Sequence, residues 1–177
     1  SKENPIKISL IEDDFIIRKG FEDLLGHEEN FKIIGGYRSC KDFFKDLPTN
    51  TPNIVIVDIE LPGMNGIEGI KKIRKLNPAI QMLVVTVYEN DELVFKALVA
   101  GASGYLTKNM PSQKLTDAIY ELVGGGAPMS TNIARMVVAS FQKNQNTPLS
   151  IRETEVLEYI SKGKSYTAIA SELYIDK

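Results

Sequence analysis

A single cysteine, Cys40, rules out an internal disulfide and fits a reducing compartment. There is no tryptophan and one histidine, His27, with no second His or Cys at ligand spacing; it reads as a surface residue. No apolar run approaches the roughly 20 residues that span a bilayer, so no membrane partner is expected. No basic, apolar leader precedes the first apolar segment, and a cytoplasmic location is the expectation. Positive charge is not in excess either. The 21 Lys and Arg face 23 Asp and Glu, and a net charge of -2 offers nucleic acid no basic footprint. The last residues stop inside a recognisable pattern, so the chain reads as an excerpt lacking at least its C-terminus.

What the sequence does have is centred on Ile54-Val55-Ile56-Val57-Asp58. Four consecutive apolar residues read as a strand buried on both faces, as in a parallel sheet. A carboxylate follows at once, and Pro62-Gly63 and Asn65-Gly66 then force a loop. In open parallel sheets ligands bind beyond the carboxyl ends of the strands, which is where Asp58 falls.

The same alternation recurs along the chain. Strands are predicted over Ile6–Ile11, Phe31–Tyr37, Ile54–Val57, Met82–Val87 and Gly104–Lys108. Helices are predicted over Phe15–Leu25, over a short stretch after an N-cap at Ser39 that carries Phe43, Phe44 and Leu47, and over Asn65–Leu76, Asp91–Ala100 and Pro111–Val123. In the third helix Ile67, Ile70 and Ile73 point inward, and in the fifth Leu115, Ile119 and Leu122 do. Five strands alternating with five helices imply an α/β fold, a doubly wound, flavodoxin-like parallel sheet of order 2-1-3-4-5.

Gly124-Gly125-Gly126-Ala127-Pro128 breaks this pattern and sets the first domain at residues 1–127. A linker, residues 128–148, holds an amphipathic helix over Ser130–Lys143 and a polar tail. Residues 149–177 open with a capping box, Ser150-Ile151-Arg152-Glu153, and continue as a helix bearing Val156, Leu157 and Ile160. A second short helix, Tyr166–Leu173, follows, and Asp176 is placed to cap a third. This small all-α piece has four basic and five acidic side chains. Gly163-Lys164-Ser165 imitates the end of a phosphate-binding loop, but Glu158 stands where that motif needs glycine.

Taken singly, the polar strand ends have plain structural explanations. An acid after a strand is often a helix N-cap, a strand-end threonine a β-former, a lone lysine a solvated charge. Together they converge. Glu12 and Asp13 follow strand one, Asp58 strand three, Thr86 lies at the end of strand four and Lys108 at the end of strand five. With strands one and three adjacent, three carboxylates meet and repel. Mg2+ suits a site of few carboxylates that keeps several waters. Lys108 and Thr86 are donors for an anion lying between, so the set suits a phosphoryl group, with Asp58 as nucleophile.

These residues, with Leu61-Pro62-Gly63-Met64-Asn65-Gly66 and Gly104-Tyr105-Leu106-Thr107-Lys108, resemble the receiver domain of two-component response regulators. Residues 150–177 resemble the start of a LuxR-type helix-turn-helix, so the whole is similar to the NarL/FixJ subfamily. The resemblance implies that Asp58 accepts phosphate from a sensor histidine kinase. It implies that Asp13 binds Mg2+ directly, Glu12 through water, and Glu60 by its backbone carbonyl. Thr86 and Lys108 would contact the phosphoryl oxygens, and Tyr105 would change rotamer, altering a face used for homodimer formation. DNA would be bound by a complete C-terminal domain. Its recognition helix is not in the chain, so binding by residues 1–177 is expected to be weak or absent.

Two departures from the resemblance stand out. Asn109 follows Lys108 where many receivers have proline, which leaves the geometry of that peptide open. Asp14 extends the acidic run and competes with Asp13 as the direct ligand. An enzymatic alternative, a Mg2+-dependent phosphohydrolase with an Asp nucleophile, fits less well. The pair is Asp58-Ile59-Glu60 instead of Asp-x-Asp, it follows strand three, and no cap insertion exists. The protein is therefore read as a phospho-accepting switch and not an enzyme.

Overall fold

The computed structural model describes residues 3–146 and the helical residue 158. The capping box and the two helices expected after residue 149 lie outside that range, Glu158 excepted. Five parallel strands, β1 (Ile6–Ile11), β2 (Phe31–Tyr37), β3 (Ile54–Val57), β4 (Gln81–Thr86) and β5 (Gly104–Thr107), form one sheet of order β2-β1-β3-β4-β5. Helices α1 (Phe15–Gly26), α2 (Cys40–Asp46), α3 (Gly66–Leu76), α4 (Asp91–Ala100) and α5 (Ser112–Val123) connect or follow them, and α6 (Thr131–Asn146) ends the described chain.

Side-chain alternation along the central strands builds two cores. Ile54 and Ile56 of β3, with Leu83 and Val85 of β4, face α1 and α5, where Leu25, Leu115, Ile119 and Leu122 are buried. Val55, Val57, Met82 and Val84 face the other way, onto Phe43 of α2, Ile70 and Ile73 of α3, and Val94 and Ala97 of α4. A strand sandwiched this way has no polar face to display, which is why its sequence reads as an unbroken apolar run. Each fully buried Ile or Leu contributes about 1.5–3 kcal/mol relative to exposure.

Capping fixes where the helices begin. Ser39 Oγ accepts the Asp42 N–H at 3.2 Å, Asn65 Oδ1 the Glu68 N–H at 3.0 Å and Asn90 Oδ1 the Leu93 N–H at 3.0 Å. Val87, read from sequence as the end of strand four, lies beyond it: the strand ends at Thr86, and Val87 is exposed. Apolar character alone carried the expected boundary one residue too far.

The first compact unit runs to Met136. Pro128–Ser130, expected to begin a linker, lie along the outer edge of β5. Tyr105 N–H donates to Pro128 O at 2.9 Å and Ser130 N–H donates to Tyr105 O at 3.1 Å. Gly104 makes room for this: a Cβ there would stand 2.6 Å from Pro128 O. Ile133, in the first turn of α6, is fully buried in the core that holds Tyr105.

Candidate phosphoryl site at the carboxyl ends of the strands

Asp58 leaves β3 with its main chain still in register: its N–H donates to Ile11 O at 3.1 Å. The side chain is buried, Oδ1 accepts the Ile59 N–H at 2.7 Å, and Oδ2 accepts from Lys108 Nζ at 2.8 Å. The loop behind it packs tightly. A Cβ on Gly66 would stand 2.0 Å from Asp58 O, so only glycine lets α3 start there.

Glu12 is held just after β1. Its N–H donates to Tyr37 O at 2.9 Å, and its carbonyl accepts from Arg18 Nη1 at 2.5 Å. Arg18, one turn into α1, is a support that the sequence reading did not single out; its spacing of six from Glu12 was the available signal. Glu12 is buried and pairs with Lys108. Burial pushes its carboxyl up to about 7, the Lys108 hydrogen bond opposes this, and the neighbouring Asp58 charge adds to it. At Lys108 burial pulls the other way, yet the bonds to Asp58 and Glu12 win and hold the ammonium above its ordinary range.

Glu12, Asp13 and Asp58 each offer an oxygen lying within 4.8 Å of the others. Asp14 is occupied elsewhere: it is the N-cap of α1, with Oδ1 accepting from Ile16 N at 2.9 Å and Ile17 N at 3.1 Å. A donor set of carboxylates alone, two of them buried, fits a hard divalent cation, whose charge relieves their mutual repulsion.

Thr86 is fully buried, and its Oγ1 has no hydrogen-bond partner among the described residues. A buried hydroxyl left unpaired costs about 1–3 kcal/mol, so a ligand oxygen within reach would recover that. A cleft of about 450 Å3 is lined by Asp13, Asp58, Glu60, Val87, Tyr88 and Lys108, among others. Glu60 is exposed, and its carboxylate accepts from Tyr88 OH at 2.5 Å. Tyr105 lies inward, fully buried, its hydroxyl donating to Tyr88 O at 2.7 Å. Burial, with Asp58 and Glu89 nearby, raises its ionisation well above the ordinary tyrosine range.

The Lys108–Asn109 peptide, left open by the sequence, is trans. His27 is exposed, with Nδ1 2.5 Å from Asp23 O. Among the described residues no helix is long and apolar enough to cross a membrane.

Comparison with known proteins agrees with this geometry. Residues 8–120 match the response regulator receiver domain family. The transcriptional regulatory protein UhpA of Salmonella typhimurium is 32% identical, the alignment covering 95% of this chain and 82% of UhpA. The DNA-binding transcriptional activator DevR/DosR of Mycobacterium tuberculosis is 28% identical over 96% of this chain and 81% of its own. A crystal structure of a LuxR-family two-component response regulator from Aurantimonas sp. SI85-9A1 superposes with a TM-score of 0.73 at 30% identity. It covers 77% of this chain and 98% of that one. The chain belongs to the response regulator family, and residues 8–120 are its receiver domain.

Proposed function

We propose that this protein is a phosphorylation-controlled transcription regulator whose phosphoacceptor is Asp58. The observation that carries the proposal is the placement of Asp58 Oδ2, 2.8 Å from Lys108 Nζ and grouped with Glu12 and Asp13. The phosphoryl donor is a sensor histidine kinase. An Asp58 carboxylate oxygen attacks phosphorus, the bond from phosphorus to the donor histidine nitrogen breaks, and its electron pair leaves with the imidazole. Lys108 gives up its bond to Asp58 and turns to a phosphoryl oxygen, and the Thr86 hydroxyl donates to another. Glu12, Asp13 and Asp58, with the Glu60 carbonyl, would hold Mg2+, which neutralises charge on the transferring group.

Drawing Thr86 toward the phosphoryl group favours one packing around Tyr105 over another, a population shift that changes the face made by α4, β5 and α5. That change promotes homodimers in the cytoplasm. Binding of DNA belongs to a complete C-terminal domain, for which the name of the DevR/DosR relative is the support. Residues 1–127 are the receiver, 128–148 a linker whose first part, to Met136, packs on the receiver's own unit, and 149–177 the beginning of the helix-turn-helix. Turnover is limited to slow self-dephosphorylation.

The test is acetyl phosphate with Mg2+ followed by intact mass. The parent gains one adduct of about 80 Da, a phosphoryl group, and Asp58→Asn gains none. An adduct that persists in Asp58→Asn moves the acceptor elsewhere. Tight, sequence-selective DNA binding by residues 1–177 alone would contradict the assignment of the C-terminal piece.

A further inference from the structure

The main chain around Lys108 is fastened on several sides. Toward β4, its N–H donates to Thr86 O at 2.8 Å. Toward the outer edge of β5, the preceding Thr107 N–H donates to Ser130 Oγ at 3.0 Å. The Thr107 hydroxyl donates to Asn109 Oδ1 at 2.6 Å, a bond that spans Lys108 itself. Thr107 is buried, Ser130 half-buried and Asn109 exposed.

Ser130 stands where an edge strand becomes a helix. Its N–H donates to Tyr105 O, and its carbonyl accepts the Ala134 N–H at 2.9 Å, beginning α6. In a parallel ladder the acceptor for Thr107 N–H would be a main-chain carbonyl. The Ser130 carbonyl has gone to the helix, and its hydroxyl takes that place. Alanine at 130 would leave a buried donor unmatched.

We propose that Ser130 and Asn109 are positioning residues for Lys108: through Thr107 they fix the main chain from which its ammonium reaches Asp58, and they tie that reach to the start of α6. The inference rests on the reading of Asp58 as phosphoacceptor. Neither residue touches Asp58. Lysine ends in a flexible four-carbon stem, so a loosened backbone spreads its ammonium over many positions and dilutes the productive one. The coupling runs both ways: a displacement of the first turn of α6 reaches Lys108 through one hydroxyl.

The experiment uses the full chain as parent, Ser130→Ala, Ser130→Thr and Asn109→Ala. Each is given acetyl phosphate and Mg2+, adduct formation is timed by intact mass, and the urea unfolding midpoint is recorded. Both alanine variants slow adduct formation by about five- to tenfold, the effect of one well-placed hydrogen bond, and Ser130→Thr restores the parent rate. Amide exchange at Thr107 quickens in Ser130→Ala and not in Ser130→Thr. Parent-like rates in both alanine variants overturn the proposal, as does slowing that Ser130→Thr fails to restore or that merely follows the unfolding midpoint. Unchanged Thr107 exchange overturns the anchoring. An adduct on the parent with unaffected variants defeats this inference alone, whereas no adduct on the parent defeats the phosphoacceptor reading and this inference together.

Discussion

Lys108 Nζ donates to Asp58 Oδ2 at 2.8 Å while also pairing with Glu12, so one ammonium from just past β5 bridges acids that follow β1 and β3. All three side chains are largely buried: side-chain exposure is 13% for the lysine, 7% for Asp58 and 5% for Glu12. The charges balance poorly without help, two acids against one base, and that imbalance organises the expectations below.

Replacing Lys108 with Met keeps the stem and removes the charge. Breaking a buried pair from one side leaves uncompensated carboxylates, and the cost is about 3–5 kcal/mol. The expected outcome is a large fall in the urea midpoint, partly recovered by added Mg2+ because the cation replaces the lost charge. A midpoint equal to the parent's would mean that the bridge contributes nothing to stability.

Glu60 and Tyr88 meet over the cleft through one hydrogen bond, both flanking Asp58. If they govern water access, removing both side chains alters the lifetime of the Asp58 adduct several-fold; loss of the exposed Glu60 carboxylate leaves stability nearly unchanged, whereas loss of Tyr88, which packs against the core, also lowers the unfolding midpoint. The decay of the 80-Da adduct (about one phosphoryl group) in Glu60→Ala/Tyr88→Ala measures this. An unaltered decay rate ends the idea.

Gly66→Ala puts a methyl group 2.0 Å from Asp58 O, with Asp58 C and Ile59 Cα also close. Backbone cannot yield as a flexible side chain can, so the substitution costs about 2 kcal/mol or more and displaces Asp58. Both the unfolding midpoint and the rate of adduct formation fall. A variant with normal stability and normal phosphorylation would contradict the tight approach of α3 to the acceptor.

Tyr37 OH donates to Asp46 Oδ2 at 2.5 Å. Burial, then that bond, lifts the phenol from 10.0 to about 12. The unfolded chain therefore loses this proton first, and stability falls as pH rises from about 10 to about 12. The carboxyl of Asp46 is lowered by the same bond, so its contribution is present above the ordinary value of 3.8 and fades as pH falls below it. Tyr37→Phe should lose the first dependence and part of the second, since Asn50 Nδ2 still donates to Asp46 Oδ2 at 3.1 Å. Parallel stability profiles for the two proteins across pH 9–12 (roughly the tyrosine window) would count against the Tyr37–Asp46 bond.

Much of the fold was legible because its elements obey simple periods. Val55 and Val57 on one face and Ile54 and Ile56 on the other make a continuous apolar strand, and Gly101 closes α4 where the sequence placed its stop. Sequence also indicated which polar groups gather, because strand order alone brings residues 12, 13, 58 and 108 to one end of the sheet. It could not separate Asp13 from Asp14, since adjacent acids differ only in register; in the structure Asp14 caps α1 while Asp13 is grouped with Glu12 and Asp58. Nor could it reveal Pro128–Ser130 on the edge of β5. Three residues after a triple glycine carry no periodic signal, and glycine reads as a hinge whether or not the next residues pack.

Those three residues also bear on how copies of the protein can join. With Tyr105 and Thr107 already engaged on their outer side, β5 offers few free main-chain groups to an incoming strand, and at the opposite margin Asn50 Nδ2 donates to Ile34 O of β2 at 2.7 Å. Strand addition along the β5 flank is therefore blocked by the chain's own residues.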